Sequence, residues 1–318
     1  MTEWIKVRIT DRQVEAEGIV SFALEPVAGG DLPRWQAGAH IDVRLPSGIV
    51  RQYSLCGPAE DTRSYQLGVL KEAAGRGGSE YLHSSLRQVD TLEISAPRNL
   101  FAMAAQDRAI LFAGGIGVTP IMAMAERLAL TGAEFEVHYC TRSQTRAAFR
   151  DRLENAVGAG RISCYFDDQP GLALDAASIL DRPEPGTHLY VCGPDGFMNH
   201  ILDTARKAGW SPSNMHFERF SATPAQPGGD EPFTIVVEGT GQIIEVAAGQ
   251  PALQALEDAG IDIPKSCEQG ICGTCLTDIV EGIPDHQDMF LSDAEKAAND
   301  CFTPCCSRAL TPRLTIRI

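Results

Sequence analysis

Apolar and polar positions alternate in short runs through the first hundred residues. IDVRLPSG (41–48), RQYSLCG (51–57) and YQLGVLKE (65–72) each read as a strand closed by a turn, and period-two runs bounded by Gly, Pro and Ser predict an antiparallel sheet or small barrel. From about residue 107 the pattern changes. RAILFAGG (108–115) is a short continuous apolar strand. It leads into GVTPIMAMAERLALTG (117–132), where Val118, Ile121, Ala125, Leu128 and Ala129 recur at helical spacing. EFEVHYCT (134–141) and THLYVCGP (187–194) predict further strands, and PDGFMNHILDTARKAG (194–209) predicts a helix ending at Gly209. Strands alternating with helices imply a parallel α/β sheet. Beyond it, FTIVVEGTGQIIEVAAG (233–249) reads as a hairpin and ALQALEDAG (252–260) as a short helix.

The clearest break in this patterning is SATPAQPGGDEP, Ser221 to Pro232, which has the Pro, Gly and Ala content of a linker and no apolar periodicity. The 318 residues therefore divide into an antiparallel β-barrel domain over 1–102, an α/β parallel-sheet domain over 103–221, a linker over 222–232 and an α+β domain over 233–318. The formal net charge is -15, which argues against nucleic acid or an anionic membrane as the partner. There is no long apolar run, and MTEWIKVRIT lacks the basic segment and apolar core of a signal peptide, so a cytoplasmic location is expected. In that compartment the ten cysteines are expected as thiols, metal ligands or catalytic groups.

Three of those cysteines fall in SCEQGICGTC (266–275). Cys267, Cys272 and Cys275 are separated by four and two residues, the plant-type spacing for a [2Fe–2S] cluster. Four thiolates must wrap two irons closely, and Gly270 and Gly273 let the backbone approach without side-chain clashes. A fourth thiolate must come from further on, where FTPCCSRAL offers Cys305 and Cys306, with Cys301 nearby. Zinc is the alternative, since four cysteines suit it too, although its ligands usually pair as two C-x2-C knuckles.

Other strings carry chemistry of their own. GRGGS (75–79) is a glycine-rich turn before a helix start, a place where backbone N–H groups and Arg76 could meet an anion while Ser79 caps or donates. GGIGVTP (114–120) and CGP (192–194) follow two strands of the α/β segment and put glycines where a pyrophosphate would approach a helix N-terminus. YCTRS (139–143) ends another strand, where an adenosine ribose usually lies. There Arg142 would favour a 2′-phosphate and NADPH, and Asp167 and Asp168 would oppose one, so NADH is expected.

In this order the motifs resemble the phthalate dioxygenase reductase family, including reductase components of vanillate O-demethylase type. The resemblance covers essentially the whole chain, through R-x-Y-S, the glycine turn, G-G-x-G-x-T-P, C-G-P and a closing C-x-S-R-A. It implies a multidomain flavoprotein with a β-grasp ferredoxin domain last, FMN rather than FAD, NADH as hydride donor and a Rieske-type oxygenase as electron acceptor. FMN would be held by Arg51, Gln52, Tyr53 and Ser54, by Gly68, Val69 and Leu70, and by Arg76, Gly77, Gly78 and Ser79, with Phe220 stacking on the ring. NADH would meet Gly114, Gly115, Gly117, Thr141, Arg142, Cys192, Gly193 and Pro194, with Thr119 near the flavin. Ser54, Thr119 and Cys192 would stand at the reacting atoms. The C-x-S-R-A match makes Cys305 the fourth cluster ligand. Related FAD reductases that put their ferredoxin module first, and a plain iron–sulfur carrier, are the other readings. From Glu231 onward there are 14 acidic against 5 basic residues, a charge that could steer a basic patch on the oxygenase.

Overall fold

In the computed structural model the described residues are 3–72, 75, 77–220 and 231–318; Arg76 and most of the linker lie outside them. The chain forms two compact units, Thr2–Arg219 and Phe220–Ile318.

The first unit opens with an antiparallel sheet whose strands run in the order Val50–Ser54, Ala39–Arg44, Thr91–Ile94, Ile5–Ala16, Ile19–Pro26 and Tyr65–Leu70, with Arg98–Asn99 paired alongside Ala39–Arg44. A bridge between Leu55 and Leu67 joins the last strand back to the first and closes a barrel. The predicted alternation governs what faces inward: Ile41 and Val43 are in the core. His40 and Asp42, on the opposite face of that strand, are buried as well, and polar groups withdrawn from water need partners.

A five-stranded parallel sheet follows, in the order Ile162–Phe166, Glu134–Thr141, Arg108–Gly114, Thr187–Cys192 and Met215–Glu218. Its strands are apolar on both faces because both faces are covered. Ala109, Leu111 and Ala113 join the core with helix Val118–Thr131. Ile110 and Phe112 join a second core with helices Ala176–Leu180 and Asp195–Lys207. The strand order reverses direction between Arg108–Gly114 and Thr187–Cys192, the place where open α/β sheets bind ligands. GGIG and CGP follow those two strands.

In the second unit Phe233–Val237 and Ile243–Val246 form the expected hairpin. Phe233–Val237 also pairs in parallel with Arg313–Arg317, and Thr277–Glu281 and Cys301–Phe302 complete the sheet. Helix Ala252–Asp258 packs on it through Leu253 and Leu256, over a core of Ile235, Val246, Phe302, Leu314 and Ile316 that also takes in Cys275. Among the described residues no helix is long and apolar enough to cross a membrane.

Candidate functional site

RQYS and the glycine turn are far apart in sequence but adjacent in space. A Cβ added to Gly78 would stand 2.7 Å from Arg51 Cγ and 3.0 Å from its Nε, so the absent side chain is what lets the arginine lie along the first turn of helix Gly78–Ser84. Gly77 takes the N-cap position with φ 82. Ser79 lies inside the first turn instead of capping it, and its hydroxyl accepts the Glu72 N–H at 3.1 Å. Arg76, expected to add charge here, lies outside the described residues. A guanidinium beside a helix start fits a phosphate.

Next along the strand, Gln52 donates to Asp42 Oδ1 at 3.1 Å, and Arg98 grips both Asp42 oxygens at 2.9 Å. The half-buried Tyr53 has its phenol held well above the ordinary range by burial. Ser54 is buried, and its hydroxyl donates to Glu218 Oε2 at 3.4 Å. Glu218 ends the edge strand Met215–Glu218, in register with Cys192 on the neighbouring strand. Burial raises its carboxyl to about 8. On its other side His40 Nδ1 lies 3.9 Å away, and burial, then Arg98, lower that imidazole to about 4. Near neutral pH both groups are therefore uncharged, and their contact is not an ion pair. Cys192 is fully buried, with its thiol pushed up by burial and by Glu218. Glu218 thus lies bonded to Ser54 and in register beside Cys192, two residues singled out separately in the sequence. Sequence reading missed Glu218, and its signal was a carboxylate alternating into the last strand, HFERF.

Thr119 is buried. Its hydroxyl donates to the Ile116 carbonyl at 3.0 Å, and its methyl, with the Phe149 ring, fills the space over Gly68. Val69 is a core residue whose carbonyl meets the His83 ring at 2.9 Å, and Leu70 is partly buried beside the same core. The nucleotide-side glycines divide into two kinds. A Cβ on Gly117 would collide with the Cys192 carbonyl, and one on Gly114 or Gly193 would meet the Phe197 ring at 2.7 or 2.9 Å. Those three are required by packing between the two loops. Gly115 alone of the four has φ +54 and open space around its missing side chain, which is what a close-approaching pyrophosphate needs. Pro194 caps helix Asp195–Lys207, and Asp195 at its first turn is bonded to Arg219. Thr141, buried at the end of its strand, donates to the Ser143 carbonyl, and Arg142 is exposed beside it. A cavity of about 330 Å³ opens next to this strand end, lined by Cys140, Phe166, Asp167, Phe197 and His200 among others. Phe220 begins the second unit and is partly exposed.

The cluster loop holds Glu268, Gly270 and Gly273 at φ 54, 72 and 65. This run of left-handed residues coils the chain tightly enough to turn its cysteines inward. Within the thiol pairs Cys267/Cys272 and Cys275/Cys305 the members shift one another: Cys267 and Cys305 are raised, Cys272 and Cys275 lowered. Backbone N–H groups of Gln269 and Thr274 point at the Cys267 and Cys272 sulfurs at 3.4 and 3.5 Å. Two thiol pairs match two irons with two thiolates each, and N–H groups aimed at sulfur suit a negatively charged cluster. Cys306 is hydrogen-bonded to Cys305 and Thr303 and faces Gly270. The buried Arg308 donates to the carbonyls of Gln250, Glu231 and Ala247 at 2.6, 3.1 and 3.2 Å.

Residues 235–310 match the family model of the 2Fe-2S iron-sulfur cluster binding domain, and residues 96–215 match that of the dimethylamine monooxygenase subunit DmmA-like N-terminal domain. The chain is 51% identical to vanillate O-demethylase oxidoreductase of Pseudomonas putida, over 97% of this chain and 98% of that protein. Among solved structures, phthalate dioxygenase reductase superposes with a TM-score of 0.77 at 34% identity, covering 99% of this chain and 98% of that one. An intact type IV self-sufficient cytochrome P450 monooxygenase superposes at 0.87 and 36% identity, covering 99% of this chain and 41% of the longer one.

Proposed function

From the premise that the chain belongs to the phthalate dioxygenase reductase family, and is an oxidoreductase component of a multicomponent oxygenase with a [2Fe-2S] domain, we propose that it carries electrons from NADH through FMN to that cluster and on to a Rieske-type oxygenase acting in aromatic O-demethylation or hydroxylation. Flavin accepts the two electrons of a hydride and the cluster carries one at a time, which is the chemistry the cofactors supply.

The chain's own residues bind and orient. Arg51 and the Gly77–Ser79 turn hold the flavin phosphate. Tyr53 would pack on the flavin, and Ser54 would supply a hydroxyl beside it. Gly115 admits the pyrophosphate of NADH. Asp167, on the wall of the cavity beside Thr141, opposes a 2′-phosphate and so favours NADH over NADPH. The buried Cys192 would stand on the nicotinamide side. Glu218, protonated near neutral pH, holds a proton next to the Ser54 hydroxyl and presents no carboxylate charge there. Cys267, Cys272, Cys275 and Cys305 hold the cluster.

The observation that carries this reading is the meeting of the R-x-Y-S strand, the C-G-P strand and the edge strand at Ser54, Cys192 and Glu218. The test is an anaerobic NADH titration followed by visible absorption, with the flavin released by acid and identified by mass. Bleaching of flavin and cluster bands together, with FMN released, is expected. A protein that stays oxidised under NADH would overturn the proposal, and released FAD would overturn its flavin assignment.

A further inference from the structure

The turn between Asp285 and Phe290 carries a buried His–Asp pair that the electron path above does not use. The His286 side chain is 8% exposed, and neither ring nitrogen has a hydrogen-bond partner among the described residues. Asp288 is buried completely. Its Oδ2 accepts the backbone N–H groups of Phe290 and Leu291 at 3.1 and 2.7 Å. Its Oδ1 has no hydrogen bond and stands 3.6 Å from His286 Nδ1. A carboxylate oxygen buried in this way is costly unless a positive charge can form beside it.

The same turn is fastened to the cluster loop. Gly270 accepts the Met289 N–H at 2.9 Å, and a Cβ on Gly270 would stand 3.0 Å from Asp288 Cα and 3.1 Å from its Cβ. The Phe290 ring fills the space over Gly273. The two glycines of the cysteine loop therefore also make room for this turn, and Asp288 is fixed beside the backbone that joins Cys267 to Cys272.

We propose that His286 and Asp288 couple a proton to reduction of the cluster. When one electron arrives from the flavin, His286 takes one proton from solvent and becomes an imidazolium held by Asp288. When the oxygenase draws the electron away, the proton leaves. Added negative charge at the cluster raises the affinity of a nearby imidazole for its proton, so the reduction potential falls as pH rises. His286 is then a positioning residue for electron transfer, and the proposal rests on the cluster assignment above.

The other charged groups packed around the pair have partners of their own, and Lys296 finds its partner on Asp288 itself. Asp285 accepts from the Gln287 amide at 2.9 Å, Lys296 donates to the Asp288 backbone carbonyl at 2.5 Å, and Arg308 binds three carbonyls. The Cys306 thiol, hydrogen-bonded to Cys305 and Thr303, is the competing titratable group on the facing segment.

The experiment is an EPR-monitored redox titration of the intact, cluster-loaded protein at steps from about pH 6 to about pH 9. In the native protein the cluster potential is expected to fall with rising pH, by at most the tenfold change per pH unit that equals about 59 mV for one electron. His286→Gln and His286→Asn should flatten that dependence while the EPR signal of the reduced cluster persists; Cys306→Ser should keep it. A native potential independent of pH would overturn the proposal without reference to any variant. So would a slope kept in both His286 variants, or one lost in Cys306→Ser alone. Absence of the EPR signal in the native protein would instead overturn the cluster assignment, and the proposal with it.

Discussion

At the residue scale, burial sets the charge state of Glu218. Its carboxyl titrates at about 8 instead of 4.5 because burial penalises the charge. The folded state therefore binds this proton more tightly than the unfolded chain. The stability this contributes is complete below about pH 4.5 and is lost as pH rises through about 8. Stopped-flow reduction of the flavin by NADH should show an inflection near the same pH. Glu218→Gln keeps a neutral partner for Ser54 and should lose the inflection. Glu218→Ala removes the contact and should slow hydride transfer by about tenfold, equivalent to about 1.4 kcal/mol. An inflection kept in Glu218→Gln would mean another group titrates there. Ser54 and Cys192 were legible in sequence because each sits in a short recognisable string. Glu218, His40 and Asp42 were not, because their burial comes from strands that meet only in the folded sheet.

Loops at the ends of elements separate packing from binding more sharply than the motif did. Gly114, Gly117 and Gly193 look alike in sequence to Gly115, yet their neighbours are protein atoms. Gly117→Ala should cost the fold, seen as loss of soluble protein or a large drop in Tm. Gly115→Ala would put a side chain at φ +54 for about 1–2 kcal/mol of stability, and should raise the KM for NADH much more than it lowers Tm. A Gly115→Ala enzyme with an unchanged KM would remove that loop from the nucleotide site. Arg308 makes the same point in the cluster-bearing segment. The C-x-S-R-A string was read only for its cysteine, yet its buried guanidinium ties that segment to Glu231, Ala247 and Gln250. Arg308→Ala leaves three carbonyls unpaired and should destabilise the second unit by about 3 kcal/mol or more, with iron content falling in parallel. Strands, helices and their end glycines were legible from periodicity. Which glycine is crowded was not, since that depends on the loop facing it.

At the scale of the molecule, charge and cooperativity set the remaining expectations. The 14 acidic residues from Glu231 onward, against 5 basic ones, should draw a basic patch on the oxygenase, so the association rate of the pair should fall as salt rises from about 50 to about 500 mM. A rate indifferent to salt would leave the charge a matter of solubility. The three-part division read from composition is coarser in the fold. A single core runs from Val7 and Ile41 of the barrel through Leu111 and Met122 to Cys192 of the parallel sheet, and Thr119 and Phe149 occupy the place a side chain on Gly68 would take. Calorimetry should accordingly record two transitions, one for Thr2–Arg219 and one for Phe220–Ile318, and a third peak would contradict the shared core.

That interlock at Gly68 also bears on how such chains are inherited. Recombination can detach the ferredoxin unit at one cut, within the Pro- and Gly-rich stretch. A cut between barrel and nucleotide sheet would leave a hollow on one fragment and a bare threonine methyl and phenyl ring on the other, and neither half would find its complement in a foreign host. The barrel and the parallel sheet should therefore be traded between lineages only as one piece.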